Sequence, residues 1–144
     1  LLNASSRFFL RRLNSGRILL IRNNSAGSRL ELCATLSEDE GETWKYSLLL
    51  DPGSPDDRCV SYPDAVEAPD GRIFIVYDCG RATVKEIRMA QITEADIMQG
   101  RLCDRNSYLN RIISKAPGDP IDPETFKTES DRWMQEVYFK LHDL

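Results

Sequence analysis

From its start to about residue 92 the chain is a succession of short apolar runs broken by turn residues. Runs of strand length occur at Arg7–Leu13, Arg17–Arg22, Arg29–Leu36, Tyr46–Leu50, Ala65–Ala68, Arg72–Asp78 and Glu86–Ile92. Asn14-Ser15-Gly16, Asp39-Glu40-Gly41, Asp51-Pro52-Gly53 and Pro69-Asp70-Gly71 punctuate them. Turn residues at this spacing predict consecutive antiparallel hairpins, and hence an all-β protein. "LNSGRILLI" at Leu13–Ile21 matches "APDGRIFIV" at Ala68–Val76, an offset of about 55 residues, and "ATLSEDE" at Ala34–Glu40 matches "AQITEAD" at Ala90–Asp96 at nearly the same offset. A repeat of that length is the signature of propeller blades. Two copies predict about two four-stranded antiparallel blades over residues 1–115.

The pattern changes after Ile92. Glu94–Gly100 reads as a short helical turn, Pro117–Pro123 as a proline-rich connector, and Ser130–Leu144 sets Trp133, Met134, Val137, Tyr138 and Leu141 at helical spacing. Residues 116–144 are therefore expected to form a connector and an amphipathic C-terminal helix that caps an open sheet edge.

With 144 residues, 41% of them hydrophobic, the chain has material for a single core. A net charge of -4 gives no global attraction for nucleic acid or an anionic membrane surface. Arginine makes up 14 of the 19 basic residues. Its planar fork suits bidentate capture of carboxylates, so an anionic ligand would be held locally. Ile18–Ile21 and Ile73–Tyr77 are far too short to span a membrane, and the expectation is a soluble protein, cytoplasmic or secreted. The chain opens on Leu1 rather than methionine, which leaves open a leader or more sequence upstream. Cys33, Cys59, Cys79 and Cys103 lie 26, 20 and 24 residues apart, and His142 is the single histidine. That spacing predicts no metal site and no cofactor, with Cys33 and Cys79 as free buried thiols. The N-x-S sequons at Asn3 and Asn23 carry weight only in a eukaryotic secretory setting.

One octet stands out. "SEDEGETW", Ser37–Trp44, ends a run of acidic residues in a tryptophan, and fits S-x-D-x-G-x-T-W at Ser37, Asp39, Gly41, Thr43 and Trp44. Physically, an aspartate accepting backbone N–H bonds holds a tight turn, a glycine takes a backbone conformation that a Cβ disfavours, and hydroxyls close further bonds. The tryptophan is then free to fold back under the turn and bury its ring between strands. Thr93-Glu94-Ala95-Asp96 is the equivalent position of the second unit, without the glycine and tryptophan.

This octet resembles the Asp box of the sialidase (BNR) superfamily. "SRFFLRRLNSGRILLIRN", "SRLELCATLSEDEGETW" and "VSYPDAVEAPDGRIFIVYDCGR" are similar, in order and spacing, to the last blades of a six-bladed sialidase-type propeller. The resemblance implies a fragment of a larger propeller, whose remainder would be a partner of this chain. It also implies a retaining glycoside hydrolase acting on a glycan with a terminal sialic acid or related sugar. In that family a tyrosine is the nucleophile, an exception to the two-carboxylate rule, and three arginines clamp the substrate carboxylate. By resemblance Tyr62 in "SYPDA" is the nucleophile, although Tyr-Pro replaces the commoner Tyr-Ser. Arg29, at the start of the strand into the Asp box, would be the third arginine of the clamp. Asp78 would orient a clamp arginine, and Asp64, two residues beyond Tyr62, could line the same cleft if the segment is regularly extended. Arg7, Arg11 and Arg12 read as a solvated strand face. The family's acid/base aspartate, glutamate and first two arginines have no counterpart here, so the isolated chain is expected to be inactive. The alternative is a non-catalytic BNR propeller module that binds carbohydrate or protein.

Overall fold

The computed structural model describes residues 1, 3–54 and 59–118. Among the described residues, eight strands build two four-stranded antiparallel sheets, each a simple meander. The first contains β1 (Phe9–Arg12), β2 (Ile18–Asn23), β3 (Leu32–Ser37) and β4 (Tyr46–Asp51). The second contains β5 (Val60–Glu67), β6 (Ile73–Cys79), β7 (Glu86–Ile92) and β8 (Tyr108–Lys115), with α1 (Glu94–Gln99) between β7 and β8. The chain is thus all-β, with the architecture of two propeller blades. Among the described residues no helix is long and apolar enough to cross a membrane. The helix predicted at Ser130–Leu144, most of the connector and His142 lie outside the described residues.

The core lies between the sheets. In β6, strict alternation buries Ile73, Ile75, Tyr77 and Cys79 and leaves Phe74, Val76 and Asp78 half-exposed on the other face. The buried set packs with Ala90 and Ile92 of β7 against Leu19 and Ile21 of β2, Leu32, Ala34 and Leu36 of β3, and Leu48 and Leu50 of β4. Burying each large apolar side chain contributes about 1.5–3 kcal/mol. Cys33 and Cys79 are free and buried, as their strand positions predicted, while Cys59 and Cys103 are free and exposed. Leu10 and Leu49 of the first sheet, Val66 and Ile87 of the second, and Phe8 just before β1 remain exposed.

A buried polar cluster ties the sheets together. Asp51, at the end of β4, accepts hydrogen bonds from the Tyr77 hydroxyl (3.1 Å), Arg88 Nη1 (2.9 Å) and the Gly53 amide (2.9 Å). Arg88 also donates to Glu86 Oε2 from Nε (3.0 Å) and Nη2 (2.8 Å). The Asn110 side-chain amide donates to the Leu50 carbonyl at 2.8 Å and to Asp51 Oδ2 at 3.0 Å. Burial, and then the charge of Asp51, push the Tyr77 phenol above its ordinary value, so it acts as a neutral donor.

The two repeat units close their third strands differently. At Ser37–Trp44 the Ser37 hydroxyl donates to Asp39 Oδ1 (2.8 Å) and accepts from the Gly41 amide (2.8 Å). Asp39 also accepts from the Thr43 amide (2.8 Å) and from the Thr43 hydroxyl. Gly41 has φ +92°, and a Cβ there would stand 3.6 Å from Cζ2 of Trp44, so the indole lies under the turn. The ring is half-buried rather than enclosed between strands, because it packs beneath a surface turn. In the second unit Thr93-Glu94-Ala95-Asp96 is no hairpin turn. Thr93 caps α1 with a reciprocal capping box to Asp96. Asp96, fully buried, gathers the amides of Cys103 (2.6 Å) and Asp104 (3.1 Å) and the Ser107 hydroxyl (2.5 Å). An aspartate still braces the connection, through a helix instead of a glycine turn.

Two strand limits differ from the sequence expectation. Arg29 precedes β3 instead of opening it, because Glu31 takes a left-handed backbone (φ +54°) that interrupts the strand. β5 begins at Val60, five residues before the predicted start, and so includes Tyr62.

Candidate functional site

The site is built around an irregularity in β5. Opposite β6, Ser61 pairs with Asp78 but Asp64 pairs with Val76, so three steps along β5 match two along β6. That is a β-bulge, and Tyr62 occupies it with φ +54°, a conformation rare for a bulky side chain. Pro63 offers no amide to the ladder, which fits a bulge better than a regular strand. The result is a tyrosine in the edge strand of the sheet, 42% exposed and open to solvent.

Two guanidinium groups face that ring. Arg81 Cζ lies 4.4 Å from its centroid and Arg29 Cζ 5.4 Å, both within cation–π range. Asp78 holds Arg81: Nε and Nη2 donate to Oδ2 at 3.0 and 2.7 Å, while Oδ1 accepts from the Ser61 hydroxyl at 2.8 Å. Asp78 is thereby shared between the strand bearing Tyr62 and the turn bearing Arg81. Arg29 is placed through the backbone. Its carbonyl accepts from the Val60 amide (2.8 Å), and the buried Asn23 side chain donates to the carbonyls of Leu30 (3.0 Å) and Val60 (2.9 Å). Hydrogen bonding from Arg81, then the charges of Arg29 and Arg81, pull the Tyr62 phenol below its ordinary value. Tyr62, Val76, Tyr77, Asp78, Arg81 and Ile87 line a cavity of about 250 Å³. The arrangement offers a carboxylate two cations beside an exposed hydroxyl.

Residues 1–75 match the BNR repeat-like domain family. The chain belongs to that family. No curated protein and no solved structure matches it. The BNR repeat-like match contains Ser37–Trp44, Arg29 and Tyr62 and stops before Asp78 and Arg81. Family membership accounts for the repeat architecture; what the cleft does has to be argued from its own groups.

Of the residues singled out in the BNR repeat-like sequence, Tyr62, Arg29 and Asp78 converge on one cleft. The arginine that Asp78 holds is Arg81. Asp64 is absent from the cavity lining. It faces Arg7, with Nη2 to Oδ2 at 3.7 Å between two exposed side chains. The expectation for Asp64 assumed period-two alternation, and the bulge breaks it. Arg12 pairs with Glu40 at the surface, and Arg11 is exposed, in keeping with a solvated strand face. Sequence reasoning missed Arg81, Ser61 and Asn23. The spacing Asp78-Cys79-Gly80-Arg81, an acid and a base three residues apart around a glycine, was the available signal for the first. No group of three or more His, Cys, Asp or Glu side chains among the described residues could hold a metal ion.

Proposed function

We propose that the Tyr62 cleft is an anionic-sugar site of the sialidase type, in which this chain supplies the nucleophile and two arginines of the carboxylate clamp. The observation that carries the reading is the placement of both Arg29 and Arg81 against an exposed tyrosine whose phenol they make more acidic. In hydrolysis, Tyr62 Oη would bond to the anomeric carbon as the glycosidic bond breaks, its proton passing to a base while an acid protonates the leaving oxygen. A neutral phenol approaches a centre that already bears a carboxylate without the repulsion a carboxylate nucleophile would meet. Arg29 and Arg81 would hold that carboxylate and stabilise the phenolate as it forms.

The acid and base are not near Tyr62 among the described residues. Asp78 is engaged by Ser61 and Arg81, and Asp64 by Arg7. This commitment of the neighbouring carboxylates favours a second reading, a non-catalytic carbohydrate-binding module on the same cleft. On both readings the chain by itself binds an acidic sugar without hydrolysing it.

Titration with N-acetylneuraminic acid and with galactose, followed through the Tyr62 ring signals by NMR, tests the site. The acid should shift those signals and the neutral sugar should not, and Arg81→Met should weaken the response at least about tenfold, the worth of one lost charge-assisted contact. Equal responses to the two sugars, or none to the acid, would remove the anionic-sugar reading. A fluorogenic sialoside should release no fluorophore with this chain; turnover would show that acid and base are already present.

A further inference from the structure

The internal repeat makes the two outward sheet faces counterparts of the two faces already joined inside the chain. Aligned on Gly16 and Gly71, Leu19 and Ile21 of β2 correspond to Phe74 and Val76 of β6, and Ile18 and Leu20 correspond to Ile73 and Ile75. Leu19 and Ile21 are wholly buried against the second sheet, and Ile73 and Ile75 are buried against the first. Side chains alternate along a strand, so Phe74 and Val76 point away from this joint, and both are half-exposed. The first sheet thus docks through one kind of face and the second through the other, and each leaves its remaining kind outward.

Both outward faces are apolar. On the second sheet Val66 stands opposite Phe74 and Met89 opposite Val76, while Ile87, opposite Asp78, extends the patch. On the first sheet Leu10 stands opposite Leu20, and Leu49, opposite Cys33, shares their side. An apolar recess of about 260 Å³ opens there, lined by Leu1, Asn3, Phe8, Leu10, Leu20 and Arg22. Contiguous apolar surface of this kind marks an interaction face.

We infer that copies of this chain join head to tail, the outward face of the second sheet in one copy seating on the outward face of the first sheet in the next. The occupant follows from the repeat: the face of Phe74 and Val76 is the counterpart of the one that packs on Ile73 and Ile75 within the chain, and Ile18 and Leu20 present that same kind of partner. Such a contact is heterologous, and it closes into a ring when equal rotations complete a circle. Propellers close at about four to eight blades, so two-blade copies close as rings of about two to four. Val76 and Ile87 also line the Tyr62 cavity, so the next copy would stand at the side of that cleft.

Sedimentation equilibrium of the whole chain at about 100 μM, well above a micromolar Kd, should give one discrete species of about two to four copies. Val66→Lys and Leu49→Lys each place a charge on one outward face, at exposed positions away from the buried joint, and circular dichroism checks that both variants fold. Each variant alone should be monomeric. Mixed in equal amounts they should form a heterodimer, because each keeps the face that the other has lost. A wild-type chain that stays monomeric would overturn the inference and leave residues 119–144, or another protein, as the cover of these faces. Assembly untouched by either lysine, or variants that remain monomeric when mixed, would overturn the head-to-tail contact.

Discussion

At the scale of single residues, Asp39 shows how much one carboxylate can organise. It accepts from Ser37 and twice from Thr43, and these bonds, those from Thr43 foremost, draw its carboxyl down to about 2 although it is open to solvent. The direction sets a pH dependence. A carboxyl with a folded value below its unfolded value of about 3.9 lends stability in full above that unfolded value, and the contribution is lost as pH falls through about 2. Asp39→Asn should therefore lower Tm at neutral pH, and the gap between variant and wild type should close as pH drops from about 4 to about 2. Thermal melts of both proteins across that range decide it; a gap that stays constant would mean that ionisation of Asp39 is irrelevant to the turn.

At the scale of elements, the Asp box is a turn with a tryptophan beneath it. Trp44 is half-buried, so Trp44→Ala should cost about 2 kcal/mol in chemical denaturation, less than the 3–5 kcal/mol of a fully enclosed aromatic. A change within about 0.5 kcal/mol, as at ordinary surface positions, would show that the ring does not hold the turn. The strands with clear apolar patterning, β2, β4, β6 and β7, were legible in the sequence because one or both faces are buried. Tyr108–Lys115 was not recognised as β8, since most of that strand is exposed and its alternation carries no hydrophobic signal. The early start of β5 was hidden by Pro63, which demotes a strand on propensity grounds yet is accommodated here at a bulge. The cleft was half legible. Tyr62, Arg29 and Asp78 could be found from a motif, whereas Arg81 and Ser61 join them only through the bulge and the turn after β6, geometry that no periodicity encodes.

At the scale of the whole molecule, the sheets are joined by apolar packing with a charged rivet through it. Arg88 sits between Asp51 of one sheet and Glu86 of the other, all three side chains largely buried. Removing the cation leaves two carboxylates in a poor solvent. Arg88→Met should cost about 3–5 kcal/mol, the usual result of stripping one partner from a buried pair. Adding Asp51→Asn and Glu86→Gln should recover part of the loss, and denaturation midpoints of the single and triple variants measure both effects; a single variant as stable as wild type would assign the joint to apolar packing alone. The bulge at Tyr62 has its own consequence for anyone moving this cleft to another scaffold. One surplus residue in β5 sets the aim of the ring, so the transferable unit is Ser61 through Asp64 with its offset intact, together with the turn that returns Arg81. A tyrosine grafted onto a regular strand would keep the chemistry and lose the direction.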